Sequence, residues 1–171
     1  MIVEDGTGLP NADSYVSVEF ADNYFSARGV SSWTTLTTAV KEQCLIKATD
    51  FIDNIYQWKG KKTTNEQSLR FPRTNLFDYE GQEIDGVPTC LKQAVCDAAL
   101  ITTNGAELFQ TKNENGDVVS ETITTLSFTY SKSDKSEKTT QTTLYDSINT
   151  KLRGLFIEGS QKVVSGKVAR V

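Results

Sequence analysis

Apolar residues recur every three or four positions in four stretches of the chain, which is the spacing of one face of an α-helix. The clearest stretch begins after Thr37 or Thr38, either of which can cap a helix, and it extends to about Tyr56. The apolar positions on its predicted stripe are Val40, Cys44, Ala48, Phe51, Ile52 and Ile55. This segment is the strongest helix prediction in the chain.

Three further helices are expected on the same grounds. Ser17 can cap a helix that runs to about Arg28. Pro88 marks the start of another helix, because its missing N–H is tolerated in a first turn, and that helix ends near Gly105. A short fourth helix is predicted over about 144–155, where three leucines and an isoleucine share one face.

A β-hairpin or loop is predicted for residues 111–143. Asn115-Gly116 is a typical two-residue hairpin turn, and apolar residues alternate with polar ones from Thr122 to Tyr130. The Ser/Thr/Lys-rich stretch that follows is typical of a loop. Residues 57–87 show no period and are expected to form an extended connection anchored by aromatic side chains.

Together these elements predict a mainly α fold: a small helical bundle with a β-hairpin or loop insertion and an extended C-terminal tail. A length of 171 residues suits one domain with its own core. We therefore expect a single helical domain over 1–158 and an extended arm over 159–171. No apolar run reaches the roughly 18 residues of a membrane span, and the N-terminus lacks a signal-peptide pattern, so no membrane partner is expected.

The composition excludes most familiar enzyme classes. The chain has no histidine, which removes Ser-His-Asp and Cys-His nucleophiles, imidazole acid–base catalysis and most zinc sites. Its 3 cysteines are too few for an all-cysteine zinc site. They lie among apolar neighbours in helix-like stretches and are expected to be buried free thiols. We expect no enzymatic activity, no cofactor and no bound metal.

Three short motifs have plain structural interpretations. Residues 59–63 (KGKKT) lack the first glycine and the preceding strand of a phosphate-binding loop, so a solvated basic turn is expected. Residues 5–8 (DGTG) lack the distant glutamate of a calcium loop and are expected to form a turn. Asp50 and Asp53 are expected to be helix-surface charges rather than a catalytic carboxylate pair, because nothing in the sequence supplies a cleft between them.

Charge is segregated along the chain, although the net charge is only −4. Residues 59–73 carry 5 bases and 1 acid, whereas residues 74–130 carry 9 acids and 2 bases. The bases of the first block, called here the basic patch, are Lys59, Lys61, Lys62, Arg70 and Arg73. They form a candidate nucleic-acid or inter-subunit surface. Nearby aromatic residues can either stack on bases or build the core. These aromatic residues are Trp33, Trp58, Phe71, Phe77 and Tyr79.

The last twelve residues contain no acid, and their valines are interleaved with small or basic residues. This pattern is typical of an extended segment, which can add a strand to the sheet edge of a partner, pair within its own fold or stay disordered. The arm residues predicted to bind a partner are Lys162, Val163, Val164, Lys167, Val168, Arg170 and Val171.

Six segments of the first hundred residues carry a resemblance to a known family. They are residues 3–17 (VEDGTGLPNADSYVS), 21–25 (ADNYF), 47–53 (KATDFID), 58–60 (WKG), 69–74 (LRFPRT) and 87–88 (VP). Together they resemble a family of tailed-bacteriophage head–tail connector subunits that is often labelled DnaT-like. The similarity covers most of residues 3–103 and is far more specific than any single motif.

The resemblance implies a structural protein of the virion at the head–tail junction, assembled in the host cytoplasm. It implies a homo-oligomeric ring, typically of twelve copies, that docks under the portal protein through the C-terminal arm. The ring would join the portal to a stopper (head-closure) or tail protein, and double-stranded DNA would pass through its lumen without sequence recognition. The label also implies an alternative, a primosome-type protein that binds single-stranded DNA. The acidic balance and the lack of an obvious basic groove favour the connector.

Overall fold

The computed structural model describes residues 1–78, 80–103, 108, 121–123, 126–128 and 146–157. Its helices are α1 (Val18–Ser26), α2 (Ser31–Thr34), α3 (Thr38–Ile55), α4 (Thr89–Thr103) and α5 (Asp146–Leu152). Its strands are β1 (Lys61–Lys62), β2 (Arg73–Thr74), β3 (Glu121–Ile123) and β4 (Leu126–Phe128). The fold is mainly helical, as predicted, and the strands form two small antiparallel sheets, β1–β2 and β3–β4.

Two of the predicted capping residues start their helices. The Ser17 hydroxyl accepts a hydrogen bond from the Phe20 N–H at 3.1 Å, and the Thr37 hydroxyl accepts one from the Val40 N–H at 3.4 Å. These bonds satisfy N–H groups that have no partner within the first helical turn. Local sequence signals therefore determine where α1 and α3 begin.

The core forms where α3 packs against α4 and α4 packs against α5. Ala94, Ala98 and Ala99 in α4 are fully buried. Small side chains at these positions allow the neighbouring helices to approach closely. From α5, Ile148 and Leu152 complete the core with no exposed surface.

The three cysteines are free, as predicted. Cys44 and Cys96 are buried and Cys90 is half-buried. Burial raises the pKa of the Cys96 thiol to about 12, so the thiol stays protonated and behaves as a small apolar side chain.

The structure corrects two details of the helix predictions. Cys44, Ala48, Phe51 and Ile52 are buried as predicted, but Val40 is 38% exposed. Leu45 and Thr49 are buried as well, so the buried face of α3 is wider than the predicted stripe. A one-turn helix, α2, over Ser31–Thr34 was not among the predicted helices. Its Trp33 is fully buried, and burying so large an apolar side chain holds this turn against the core.

The β prediction is also corrected in detail. β3 and β4 pair antiparallel, with Ile123 opposite Leu126, and both lie inside the 111–143 segment predicted to form a hairpin or loop. Only two residues join them, and the predicted turn at Asn115-Gly116 lies outside the described residues. The proposed boundary between a domain over 1–158 and an arm over 159–171 lies outside them too and stays a prediction.

Candidate functional site

The basic patch is assembled by the chain that follows α3. β1 pairs with β2 so that Lys61 lies opposite Thr74 and Lys62 lies opposite Arg73. The turn into β1 requires Gly60, whose φ is +71°. A Cβ added at Gly60 would lie only 2.6 Å from the Thr74 carbonyl oxygen. This contact is too short for any residue with a side chain, so the position requires glycine. The pairing brings the backbone segments that carry the cations at both ends of the 59–73 block next to each other.

Arg73 has a structural role within the patch. Its Nε donates to the Lys59 carbonyl at 2.6 Å, its Nη1 to the Arg70 carbonyl at 3.0 Å and its Nη2 to the Gly60 carbonyl at 2.8 Å. A guanidinium has five N–H donors, so two remain after these three bonds. Arg73 therefore ties together the backbone that carries the other cations.

The side chains of the remaining four cations can contact a ligand. Lys59, Lys61 and Arg70 are exposed, and Lys62 is half-buried, with its Nζ donating to the Gln67 carbonyl at 3.0 Å. The ion pairs found among the described residues join Met1 to Glu42, Lys41 to Asp22 and Lys151 to Asp97. None of them involves the basic patch, so no described carboxylate neutralises its charge by direct contact.

A buried hydrogen-bonded cluster fixes the patch to the helical core. The Tyr15 hydroxyl donates to the Asp53 carboxylate, with oxygen–oxygen distances of 2.7 and 2.9 Å. The same hydroxyl accepts from the backbone N–H groups of Arg70 at 2.9 Å and Phe71 at 3.1 Å. The Arg70 N–H also donates to Asp53 Oδ2 at 2.9 Å. The cluster thus connects the N-terminal loop, α3 and the basic patch.

The prediction of two surface charges on α3 is therefore only half right. Asp50 is exposed, but Asp53 is half-buried and its carboxylate accepts hydrogen bonds from Tyr15 and the Arg70 backbone. Burial raises the pKa of Asp53 to about 6, against the lowering effect of the Tyr15 hydrogen bond. Helical spacing could not show this, because the partners come from distant parts of the chain.

A cavity of about 590 Å³ lies beside the patch. It is lined by the end of α3, by the residues that follow it and by two cations of the patch. The lining residues are Asp53, Asn54, Ile55, Tyr56, Gln57, Trp58, Arg70 and Arg73. The cavity therefore offers a carboxylate, two amides and two guanidinium groups to a ligand.

Most of the candidate stacking aromatics belong to the core, and none of these presents an open ring face. Trp33, Trp58 and Phe71 are at least 94% buried, which confirms the core interpretation for these three. Phe77 is 50% exposed, and Tyr79 lies outside the described residues. The buried Trp58 Nε1 has no hydrogen-bond partner among the described residues.

Sequence reasoning missed the role of Glu4. Its side chain is buried and accepts backbone hydrogen bonds from Gly6, Gly8 and Leu9, each at 2.9 Å. The DGTG segment is a turn, as predicted, and it is closed around this carboxylate. The Ser68 N–H donates to the Leu9 carbonyl at 3.0 Å, so this loop is hydrogen-bonded to the segment that carries the basic patch.

The described residues hold no group of three histidine, cysteine, aspartate or glutamate side chains arranged to bind a metal ion. None of the helices in the described ranges has the length and hydropathy that crossing a bilayer requires.

Comparison with known proteins gives one match. The model of a family described as "Putative DnaT-like ssDNA binding protein" matches residues 1–171. No curated protein and no solved structure matches the chain.

The family match overturns the connector hypothesis, because the matching family is described by the binding of single-stranded DNA and not by a place in the phage neck. The virion head–tail connector function is therefore wrong. The predicted partners are wrong with it: the ring of copies, the portal, the stopper or tail protein and the double-stranded DNA in a lumen. The arm residues 162–171 lie outside the described residues, and the virion location stays an untested prediction.

The acidic net charge of −4 does not exclude binding to single-stranded DNA. Electrostatic attraction at short range depends on local rather than total charge, because salt screens charges beyond about 10 Å. The exposed Lys59, Lys61 and Arg70, whose backbones lie close together, meet that local requirement.

Proposed function

Because the chain belongs to the family of DnaT-like single-stranded DNA-binding proteins, we propose that it binds single-stranded DNA through the basic patch. The observation that carries this proposal is a short segment with four cations, three of them exposed, that form no ion pair to a described carboxylate. The proposed role is one of binding, without a catalytic step.

The proposed contacts are to phosphates. Lys59, Lys61 and Arg70 extend from a backbone that Arg73 holds, so their side chains can follow one phosphodiester strand. Lys62 keeps two of its three N–H donors after its bond to the Gln67 carbonyl. Contacts of this kind position the strand without reading its sequence.

The number of cations sets the expected salt dependence. Each phosphate neutralised on a single strand contributes about −0.7 to the slope of log K against log salt. Three or four contacts therefore predict a slope of about −2 to −3. If DNA bound elsewhere on the protein, substitutions in the basic patch would leave the slope of log K against log salt unchanged.

Fluorescence anisotropy with a labelled oligo-dT, titrated at several salt concentrations, tests the proposal. We expect Lys61→Ala to weaken binding and to reduce the slope by about 0.7. Lys47→Ala is the matched control, since Lys47 is an exposed lysine on α3 outside the patch. Absence of binding at about 50 mM salt, or equal effects of the two variants, would refute the proposal.

A further inference from the structure

The cavity beside the basic patch contains a carboxylate as well as guanidinium groups, and a surface that binds only phosphate does not need a carboxylate. Asp53 places a carboxylate in its wall, and Arg70 and Arg73 place guanidinium groups in the same lining. A carboxylate repels phosphate, so the strand backbone is expected to stay on the exposed cations outside. The group that enters the cavity should instead be uncharged and should carry both hydrogen-bond donors and acceptors.

These groups retain unused hydrogen-bonding capacity. A carboxylate has about four acceptor positions, and contacts from Tyr15 and Arg70 use at most three. The Arg70 guanidinium makes no hydrogen bond or ion pair within the part of the chain that the structure describes, and it is not paired with Asp53. Asn54 donates its Nδ2 to the Asp50 carbonyl, which leaves its Oδ1 as an acceptor.

We propose that the cavity takes one unpaired guanine base of the bound strand. Guanine presents donors at N1 and N2, which match the Asp53 carboxylate, and acceptors at O6 and N7, which match the Arg70 guanidinium. When Arg70 binds the base, the phosphate contacts fall to Lys59, Lys61 and Lys62. Adenine and cytosine lack a matching pair of adjacent donors, and thymine has a single ring donor. A cavity of about 590 Å³ is within the size range of small-molecule sites and is large enough for a purine.

This inference rests on the proposed function and makes it more specific. The N1 and N2 donors of guanine are engaged in a duplex, so only an unpaired base can present them to Asp53. Contacts to phosphates alone give no sequence preference. Recognition of the base would add a preference for guanine. It would also favour single strands over duplex DNA.

The first test uses the unmodified protein and changes only the ligand, which avoids any effect of substitution on folding. Anisotropy is measured with oligo-dT and with the same oligomer carrying one central dG. A bidentate base contact predicts about tenfold tighter binding of the dG oligomer. Inosine lacks the N2 amino group and 7-deazaguanine lacks N7, so each should lose most of that gain.

The second test uses a pair of carboxylate variants one helical turn apart. Asp53→Asn should lower the ratio of dG to dT affinity towards one, because an amide accepts fewer hydrogen bonds than a carboxylate. Asp50→Asn is the matched control, since Asp50 is exposed and does not line the cavity. It should leave the ratio unchanged.

The outcomes separate the two proposals. Equal affinity for all oligomers, or an equal gain from dA or dC, would overturn the guanine site and leave single-strand binding intact. A dG gain that inosine retains in full would also overturn it. Failure of every oligomer to bind at low salt would instead refute the proposed function itself.

Discussion

Replacing Tyr15 with phenylalanine removes one oxygen atom from the cluster that joins the basic patch to the core. The hydroxyl donates to Asp53 and accepts from the N–H groups of Arg70 and Phe71. The Arg70 N–H keeps its second acceptor, Asp53 Oδ2. The Phe71 N–H is buried and loses its acceptor. The substitution is nearly isosteric, so it changes polar contacts and leaves the packing of the ring in place.

The magnitude follows from these contacts. A hydrogen bond to a charged group contributes about 1.5–3 kcal/mol, and an unsatisfied buried N–H costs about 1–3 kcal/mol. The phenylalanine no longer needs to desolvate a hydroxyl, which offsets part of the loss. We therefore expect the free energy of unfolding to fall by about 2–4 kcal/mol. The pKa of Asp53 should rise further, because the Tyr15 hydrogen bond lowers it.

Urea denaturation measures this loss directly. With a typical m-value of about 1–3 kcal/mol/M, the midpoint should fall by roughly 1–2 M at unchanged m. Comparison with Asp53→Asn and with the double variant tests the coupling, since two residues that share a hydrogen bond should give a double loss smaller than the sum. A loss below about 0.5 kcal/mol would show that the cluster does not hold the patch to the core.

Two further predictions concern backbone geometry and pH. In urea denaturation, Gly60→Ala should lower the free energy of unfolding by about 1–2 kcal/mol more than Gly29→Ala does. Both glycines have positive φ, but only at Gly60 would the added Cβ lie 2.6 Å from a backbone oxygen. Equal losses would contradict the role of Gly60. The folded pKa of Asp53, about 6, lies above the unfolded value of 3.8. This group therefore stabilises the fold most below about pH 4, and up to about 3 kcal/mol of that contribution is lost as pH rises through 6. Stability measured from pH 4 to 8 should show this fall in the native protein and not in Asp53→Asn; parallel profiles would contradict it.

Much of the helical framework could be predicted from local sequence. The stripes of apolar residues located α1, α3 and α4, because side chains three or four positions apart share one helix face. Ser17 and Thr37 were recognised as caps since their hydroxyls bond N–H groups only three residues away. These interactions span less than one turn, so a short stretch of sequence contains all the information they need.

The site was predictable only in its composition. The basic residues of 59–73 are visible as a block, but nothing in the block distinguishes Arg73, which bonds three carbonyls, from the exposed Arg70. The burial of Glu4 was likewise missed, because its three N–H partners depend on the path of the loop. Its only signal was the pair of glycines at 6 and 8, which allow a turn tight enough to surround a carboxylate.

The sequence by itself determined the mainly helical class, the free state of the cysteines and the existence of a basic block. Only the tertiary structure decided that most of the candidate aromatic residues belong to the core, that Tyr15 holds Asp53 and the Arg70 backbone together and that a cavity opens beside them. Tyr15 meets Asp53 across 38 positions and Arg70 across 55. Contacts over such separations depend on how α3, the N-terminal loop and the basic patch pack together, and no local pattern of residues encodes that arrangement.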